Sequence, residues 1–425
     1  MDEVTGTPTR QQAIFLDGVS GIRPAVPAAP SALERAARRK MSRAAFAYIR
    51  GGAGMERTMT ANRSAFDRWR IVPRVLSDVS RRDPRVTLFG RTLPAPLLLA
   101  PVGVLEMAHP EADVAVAAAA AAAGVPMIFS NQASRPMEAC AAVMGDAPRW
   151  FQLYWSQSTD LVLSFVDRAK RIGCDALVLT LDTTILGWRP RDLDLAYLPF
   201  LRGKGIAQYT SDPVFQRQVA DDLATFARRR TRVTPAGVSA LLQLARTYPG
   251  RFPDNLRSVA PLAAVQRFVG TYSKPSLSWD DVAFLREQTS LPLLLKGVLH
   301  PDDARKAVDH GVDGVIVSNH GGRQVDGAIA AFTALAGVAE AVGDDLTVLM
   351  DSGVRTGADI FKALAMGADA VCIGRPYAYG LAIAGGRGVR EVIANLMADF
   401  ELTMALSGCR TVDEITSDRL VPDVA

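Results

Sequence analysis

Eight short apolar runs recur along this chain, and nearly all of them empty into polar residues. In order they are Leu97–Ala100, Val125–Phe129, Trp150–Tyr154, Ala176–Thr180, Leu293–Lys296, Gly314–Ser318, Thr347–Asp351 and Ala370–Gly374. Between most pairs lies a segment of helical patterning, such as Asp302 to Asp309 or Gly357 to Ala365. Those helices often stop at a glycine: Gly124, Gly173, Gly311, Gly367. Short apolar strands alternating with amphipathic helices specify a parallel sheet covered on both faces. Eight such units are the count of a (β/α)8 TIM barrel. Length alone would suggest two or three domains, but barrels commonly exceed about 250 residues as one.

The rest of the chain is read around that barrel. Residues 1–30, rich in Pro, Ala and Gly, predict an irregular arm, and residues 31–425 the barrel domain. Ser31-Ala32-Leu33-Glu34 has the pattern of a capping box. The N-terminal helix it opens should run to about Arg50, where Gly51-Gly52 stops it. Tyr48 falls in its last turn, placed either for packing or to reach a ligand. From Asp192 to about Val269 an insertion follows the fourth strand. It far exceeds the usual connection of about 4–6 residues. Leu198–Arg202 and Asp212–Phe215 are apolar enough to dock, and a basic run covers Arg228 to Arg232. A lid over the barrel mouth is expected there.

Composition excludes several classes. The net charge is +4 and the basic residues are scattered, so no nucleic-acid stripe is present. Cys140, Cys174, Cys372 and Cys409 form no CxxC, and His109, His300, His310 and His320 show no ligand spacing. Neither a metal site nor a disulfide framework is expected, and a reducing cytoplasm is the simplest setting. Met1-Asp2-Glu3 opens without the basic and apolar regions of a secretory signal. The longest apolar stretch, Val114 to Ala123, is too short to cross a bilayer, so no membrane partner is expected.

In a (β/α)8 barrel the active site lies at the C-terminal ends of the strands. There the sixth strand empties into Ser318-Asn319-His320-Gly321-Gly322-Arg323. His320 is a base that titrates near neutrality, and Arg323 a cation that binds a carboxylate through two parallel hydrogen bonds. The seventh and eighth loops carry Asp351-Ser352-Gly353-Val354-Arg355 and Gly374-Arg375-Pro376. Those loops commonly hold a phosphate, and two arginines suit a dianion. No GxGxxG or GxxxxGK is present, so a phosphorylated cofactor in the mouth is favoured over a Rossmann or P-loop site. Lys296 is placed to put a positive charge beside a cofactor ring, with Gln152 and Thr180 at its edges.

These motifs resemble the FMN-dependent α-hydroxy acid oxidising family, which includes glycolate and lactate oxidases and mandelate dehydrogenase. Ser318–Arg323 matches its SNHGxR signature. Leu295-Lys296-Gly297, Asp351–Arg355 and Ile373-Gly374-Arg375-Pro376 match its flavin-binding pieces. The similarity spans about Ser31 to Ser407. Within the family it is greatest to lactate 2-monooxygenase, on Gly187–Asp192, Pro199–Gly203, Ser211–Gln216 and the long insertion.

The resemblance implies FMN as cofactor and a small (S)-2-hydroxy acid and oxygen as substrates. It implies His320 as base, oriented by Asp182. Arg189 and Arg323 would hold the carboxylate, with Tyr48 and Tyr154 at the carboxylate and hydroxyl. Ser130, Gln152, Thr180, Lys296 and Ser318 would bind the ring and ribityl portions. Asp351, Arg355, Gly374 and Arg375 would take the phosphate end, and Pro101, Val102 and Gly103 would lie along the flavin. A homo-oligomer, tetramer or octamer, is implied too. Two positions depart from the oxidases: Gln132 where an aromatic residue is frequent, and Gly103 where alanine is frequent. The second is expected to leave room beside the flavin. The leading expectation is a monooxygenase outcome, in which retained keto acid is decarboxylated by nascent peroxide. A simple oxidase or a dehydrogenase is the alternative.

Overall fold

The computed structural model describes residues 9–223 and 234–423. Eight parallel strands close into a barrel: Leu97–Leu99, Met127–Phe129, Arg149–Leu153, Ala176–Thr180, Leu293–Val298, Gly314–Val317, Thr347–Met350 and Ala370–Ile373. Neighbours in sequence are neighbours in the barrel, and the eighth strand pairs with the first. Leu98, Ile128, Trp150, Val178, Leu294, Ile316, Leu349 and Cys372 pack together as the barrel core. A hairpin, Val86–Leu88 with Arg91–Leu93, adds Leu88 and Leu93 to that core. Alternate residues such as Leu97, Phe151, Leu177 and Val315 pack into the larger core shared with the helices. Burial on both faces is why these strands read as unbroken apolar runs.

The arm is not irregular throughout. Arg10–Val19 is a helix, started by a capping box between Thr9 and Gln12. The prolines and glycines that suggested irregular chain lie mostly beyond it. Glu391 of the last helix accepts the backbone N–H of Ala25 at 2.8 Å, and Val26 is buried beside it. The expected helix from Ser31 to Arg50 is two helices, Pro30–Lys40 and Arg43–Arg50. Pro30 starts the first of them, so Ser31 caps nothing. The break falls at Met41, and Ser42 caps the second helix by accepting from Ala45 N–H at 3.2 Å.

The insertion is helical where described, including Pro213–Leu223, Pro235–Thr247 and Ala260–Thr271. The basic run Arg228–Arg232 lies outside the described residues. Phe200, Tyr209, Phe215 and Phe268 are buried as one aromatic cluster. Arg168, on the helix Thr159–Arg171, reaches from the barrel to Asp212 at 3.1 Å. A buried guanidinium needs such partners, and Glu138 supplies the second, at 2.8 Å. Among the described residues no helix is long and apolar enough to cross a membrane.

Candidate active site

The C-terminal strand ends open into a single cavity. Tyr48, Pro101, Val102, Gly103, Ser130, Gln152, Tyr154, Arg189, Lys296, His320, Arg323, Asp351, Arg355, Gly374 and Arg375 all line it. Thr180, Asp182 and Ser318 stand one hydrogen bond behind that lining, on Gln152, His320 and Lys296 respectively.

His320 Nδ1 lies 2.8 Å from Asp182 Oδ1. A carboxylate at Nδ1 fixes the proton there and leaves Nε2 with its lone pair. Asp182 also accepts from Thr183 Oγ1 at 3.0 Å. Burial raises its carboxyl, but the imidazole and Lys296 outweigh that and hold it at about 2. Burial lowers the His320 pKa below its ordinary 6.5, with Asp182 opposing and Lys296 and Arg189 adding to the fall. The pair is therefore a neutral imidazole on an ionised carboxylate at neutral pH.

The backbone holds this geometry against a local cost. His320 has φ 58°, a left-handed conformation that non-glycine residues seldom adopt. Its N–H donates to Ser318 Oγ at 3.0 Å, and the next N–H, of Gly321, donates to Ser352 Oγ at 2.9 Å. Asn319 exchanges two amide hydrogen bonds, of 2.7 and 2.8 Å, with Asn62 on the helix Arg57–Asp67. Gly297 lets Asp182 approach: a Cβ at that glycine would lie 2.8 Å from Asp182 Cβ.

Arg189 and Arg323 converge on one side of the cavity. Arg323 donates to Gly51 O at 2.9 Å and lies over the Tyr48 ring at 4.9 Å. Burial, and then the neighbouring Arg189, bring its pKa down to about 9. Two guanidiniums this close favour an incoming anion.

Another part of the wall is a polar relay. Ser130 Oγ donates to Gln152 Oε1 at 3.1 Å, and Gln152 Nε2 donates to Thr180 Oγ1 at 3.0 Å. Lys296, 3% exposed, donates to Ser318 Oγ at 2.8 Å and pairs with Asp351 at 3.1 Å. Burial pushes its pKa down, but Asp351 and Asp182 reverse that and hold it above the ordinary value.

At the far end the Arg355 guanidinium makes one hydrogen bond among the described residues, to Val354 O at 2.8 Å. Burial and the neighbouring Arg375 lower its pKa to about 10. Arg375 is more committed, donating to the carbonyls of Ile49, Gly321 and Gly51. It begins the helix Arg375–Leu406, whose N-terminus has no side-chain cap. Uncapped helix N–H groups and an under-used guanidinium are the chemistry that suits a phosphate.

Gly103 lines the cavity and also lies close to Gln132. A Cβ there would meet Gln132 O at 3.1 Å and Gln132 Cβ at 3.2 Å. Gln132 borders the direction in which a side chain at 103 would project. The insertion is keyed into the same place, since a Cβ on Gly205 would lie 2.5 Å from Val104 Cγ2 and 3.0 Å from Gln132 O.

Sequence reasoning missed Leu186, Phe200 and Tyr272, which also line the cavity. Phe200 lay within a segment read as dockable; Tyr272 carried no signal.

The family model for FMN-dependent dehydrogenases matches residues 37–422. The chain belongs to the FMN-dependent dehydrogenase family. It is 42% identical to the FMN-dependent alpha-hydroxy acid dehydrogenase qulF of Penicillium citrinum, over 96% of this chain and 94% of that one. It is 40% identical to an L-lactate oxidase of Lysinibacillus sphaericus, over 92% and 91%. Among solved structures, mandelate oxidase with (S)-4-hydroxymandelic acid aligns with a TM-score of 0.76 and 36% identity, covering 93% of this chain and 98% of that one. Like the rest of the FMN-dependent dehydrogenase family, this enzyme is an oxidoreductase of 2-hydroxy acids and its cofactor is FMN. The cavity fits that cofactor: a polar relay and a buried ammonium suit a ring, and the Arg355 end suits a phosphate.

Proposed function

We propose that this enzyme oxidises a small (S)-2-hydroxy acid, lactate being the first to test, and decarboxylates the keto acid before releasing it. The observation that carries the oxidation is the neutral His320 on ionised Asp182, facing the same cavity as two guanidiniums. Gln152, Ser130 and Lys296 would hold the FMN ring, with Thr180 and Ser318 buttressing them. Pro101, Val102 and Gly103 would lie along it, and Asp351, Arg355, Gly374 and Arg375 would take the ribityl and phosphate end. FMN, when bound, supplies the two-electron sink and passes the electrons to oxygen, giving hydrogen peroxide.

The chain does the rest. Arg189 and Arg323 grip the substrate carboxylate and so aim the α-carbon. Tyr48 and Tyr154 border the carboxylate and hydroxyl. His320 Nε2 takes one proton from the substrate: from the hydroxyl if the electrons leave as a hydride, from the α-carbon if through a carbanion-like state. Asp182 stabilises the imidazolium that results, and Lys296 offsets negative charge developing beside it.

Retention of the keto acid is the second half of the reading. Its support is the insertion, which brings Phe200 to the cavity wall, and the two arginines, which still grip a keto acid. Peroxide adds to the keto carbon, the bond to the carboxylate breaks, and the O–O bond cleaves. Lactate and oxygen thus give acetate, carbon dioxide and water. Free keto acid and peroxide would be the outcome if release were faster, as the relatives named L-lactate oxidase suggest.

Product analysis in air tests this. With lactate, acetate and carbon dioxide should appear in equal amounts, with little free peroxide. Shortening the insertion should move the products toward pyruvate plus peroxide. Stoichiometric pyruvate and peroxide from the intact enzyme would replace the monooxygenase reading with an oxidase. Slow reoxidation by oxygen beside rapid reoxidation by an artificial acceptor would make it a dehydrogenase.

A further inference from the structure

Two strand-end loops each carry half of the proton pair and one guanidinium. The loop after the fourth strand has Asp182 and Arg189, and the loop after the sixth has His320 and Arg323. Besides the His320–Asp182 pair itself, one amide ties them together. Gln324 Nε2 donates to the carbonyl oxygen of Asp182 at 2.7 Å and to that of Ile185 at 3.0 Å. Its Oε1 accepts from Arg189 Nη2 at 2.9 Å. Beside it Arg189 Nε donates to Arg323 O at 3.2 Å. Gly187 makes the approach possible, since a Cβ there would lie 2.6 Å from Arg323 O and 2.8 Å from Gln324 O.

The chemistry of this crosspiece demands an amide. Two donors and an acceptor on one uncharged head are what Gln provides. A carboxylate of the same shape would lose both donors, face two carbonyls and hold Arg189 as a competing anion. A thioether of similar size would satisfy none of the three partners.

We propose that Gln324 is a positioning residue that sets Arg189 and Asp182 against Arg323 and His320, so that one amide governs both carboxylate binding and proton transfer. This rests on the assignment of the two arginines to the substrate carboxylate.

The test compares Gln324→Met and the isosteric Gln324→Glu with the wild-type FMN holoenzyme. Val325→Ala, at a neighbouring residue that is 64% exposed, is the control. Oxalate, a dicarboxylate with no α-hydrogen, is titrated by the flavin absorbance change. L-lactate reduction is followed anaerobically in a stopped-flow instrument across pH.

Gln324→Met should weaken oxalate about 10- to 100-fold, the scale of a hydrogen bond to a charged group. Gln324→Glu should weaken it further. Limiting reduction should slow in both. The charged groups facing His320 are Asp182, which raises its pKa, and Lys296 and Arg189, which lower it. In Gln324→Met, which adds no charge, loosening Asp182, a larger influence on His320 than Arg189, therefore moves the acid limb of the reduction profile to lower pH. The added carboxylate of Gln324→Glu opposes that shift. General loss of stability does not move the limb. Unchanged oxalate affinity and an unchanged acid limb in either folded variant overturn the proposal, even where the rate falls. If Gln324→Met does not fold, Gln324→Glu alone decides. If no 2-hydroxy acid reduces the wild-type flavin but oxalate binding still depends on Gln324, the substrate reading fails and the positioning role stands.

Discussion

His320→Ala should retain FMN but slow its reduction by the hydroxy acid by about 10² to 10⁴-fold, the usual contribution of a general base. The flavin is expected to stay because the proposed flavin contacts are Gln152, Lys296 and Arg355, and His320 is not among them. The rate falls because Nε2 is the uncharged acceptor poised by Asp182 at 2.8 Å from Nδ1. The wild type adds a pH signature. His320 titrates below its ordinary 6.5, so reduction is at full rate above that pKa and is lost as acid protonates the imidazole. The variant should lack that acid limb. Anaerobic stopped-flow reduction measures both, and a near wild-type rate in the variant would remove His320 from the proton step.

Arg189→Met should raise the dissociation constant for the hydroxy acid about 30- to 5000-fold, matching the 2–5 kcal/mol lost when one member of a buried charge pair is removed. Arg189 is buried at 6% exposure, and methionine cannot supply its charge or its donors. Arg189→Lys should fall between the two, because an ammonium is a point charge and cannot reproduce a planar two-bond grip. Arg323 remains in both variants. It should hold its proton more firmly, since Arg189 is one cause of its depressed pKa. Titration with oxalate separates lost affinity from lost chemistry. Unchanged affinity in Arg189→Met would show that the carboxylate binds elsewhere.

The barrel was legible because each strand is buried on both faces and must be apolar throughout. Expected and observed strands therefore differ mainly at their ends, as at Leu97–Leu99 and Met127–Phe129. The helix in the arm escaped notice because the prolines after Val19 coloured the whole segment, although Thr9 and Gln12 carry a capping box. His320, Arg323 and Lys296 stood out because their chemistry is carried by the residue type itself. Gln324 did not, because its meaning lies in a hydrogen bond to a residue 142 positions earlier. Phe200 and Tyr272 are ordinary aromatic residues until the insertion folds them onto the mouth. Gly103 faces a neighbour as well as the cavity, since a side chain there would press on Gln132.

That last contact changes how the enzyme can be re-engineered. Adding a methyl group at Gly103 presses on Gln132, and Gln132 O is also what a Cβ on Gly205 would strike. The loops after the first and second strands and the start of the insertion are thus cut to one another like the wards of a lock. A chimera that imports an alanine at 103 from a relative, while keeping the local loop and insertion, requires Gln132 to give by a few tenths of an ångström. One that exchanges residues 101–108, 130–136 and 198–206 together does not split those contacts. The smallest transplantable module for altering what sits beside the flavin is this three-part block, and a single-site change there reports on the block's tolerance before it reports on oxygen.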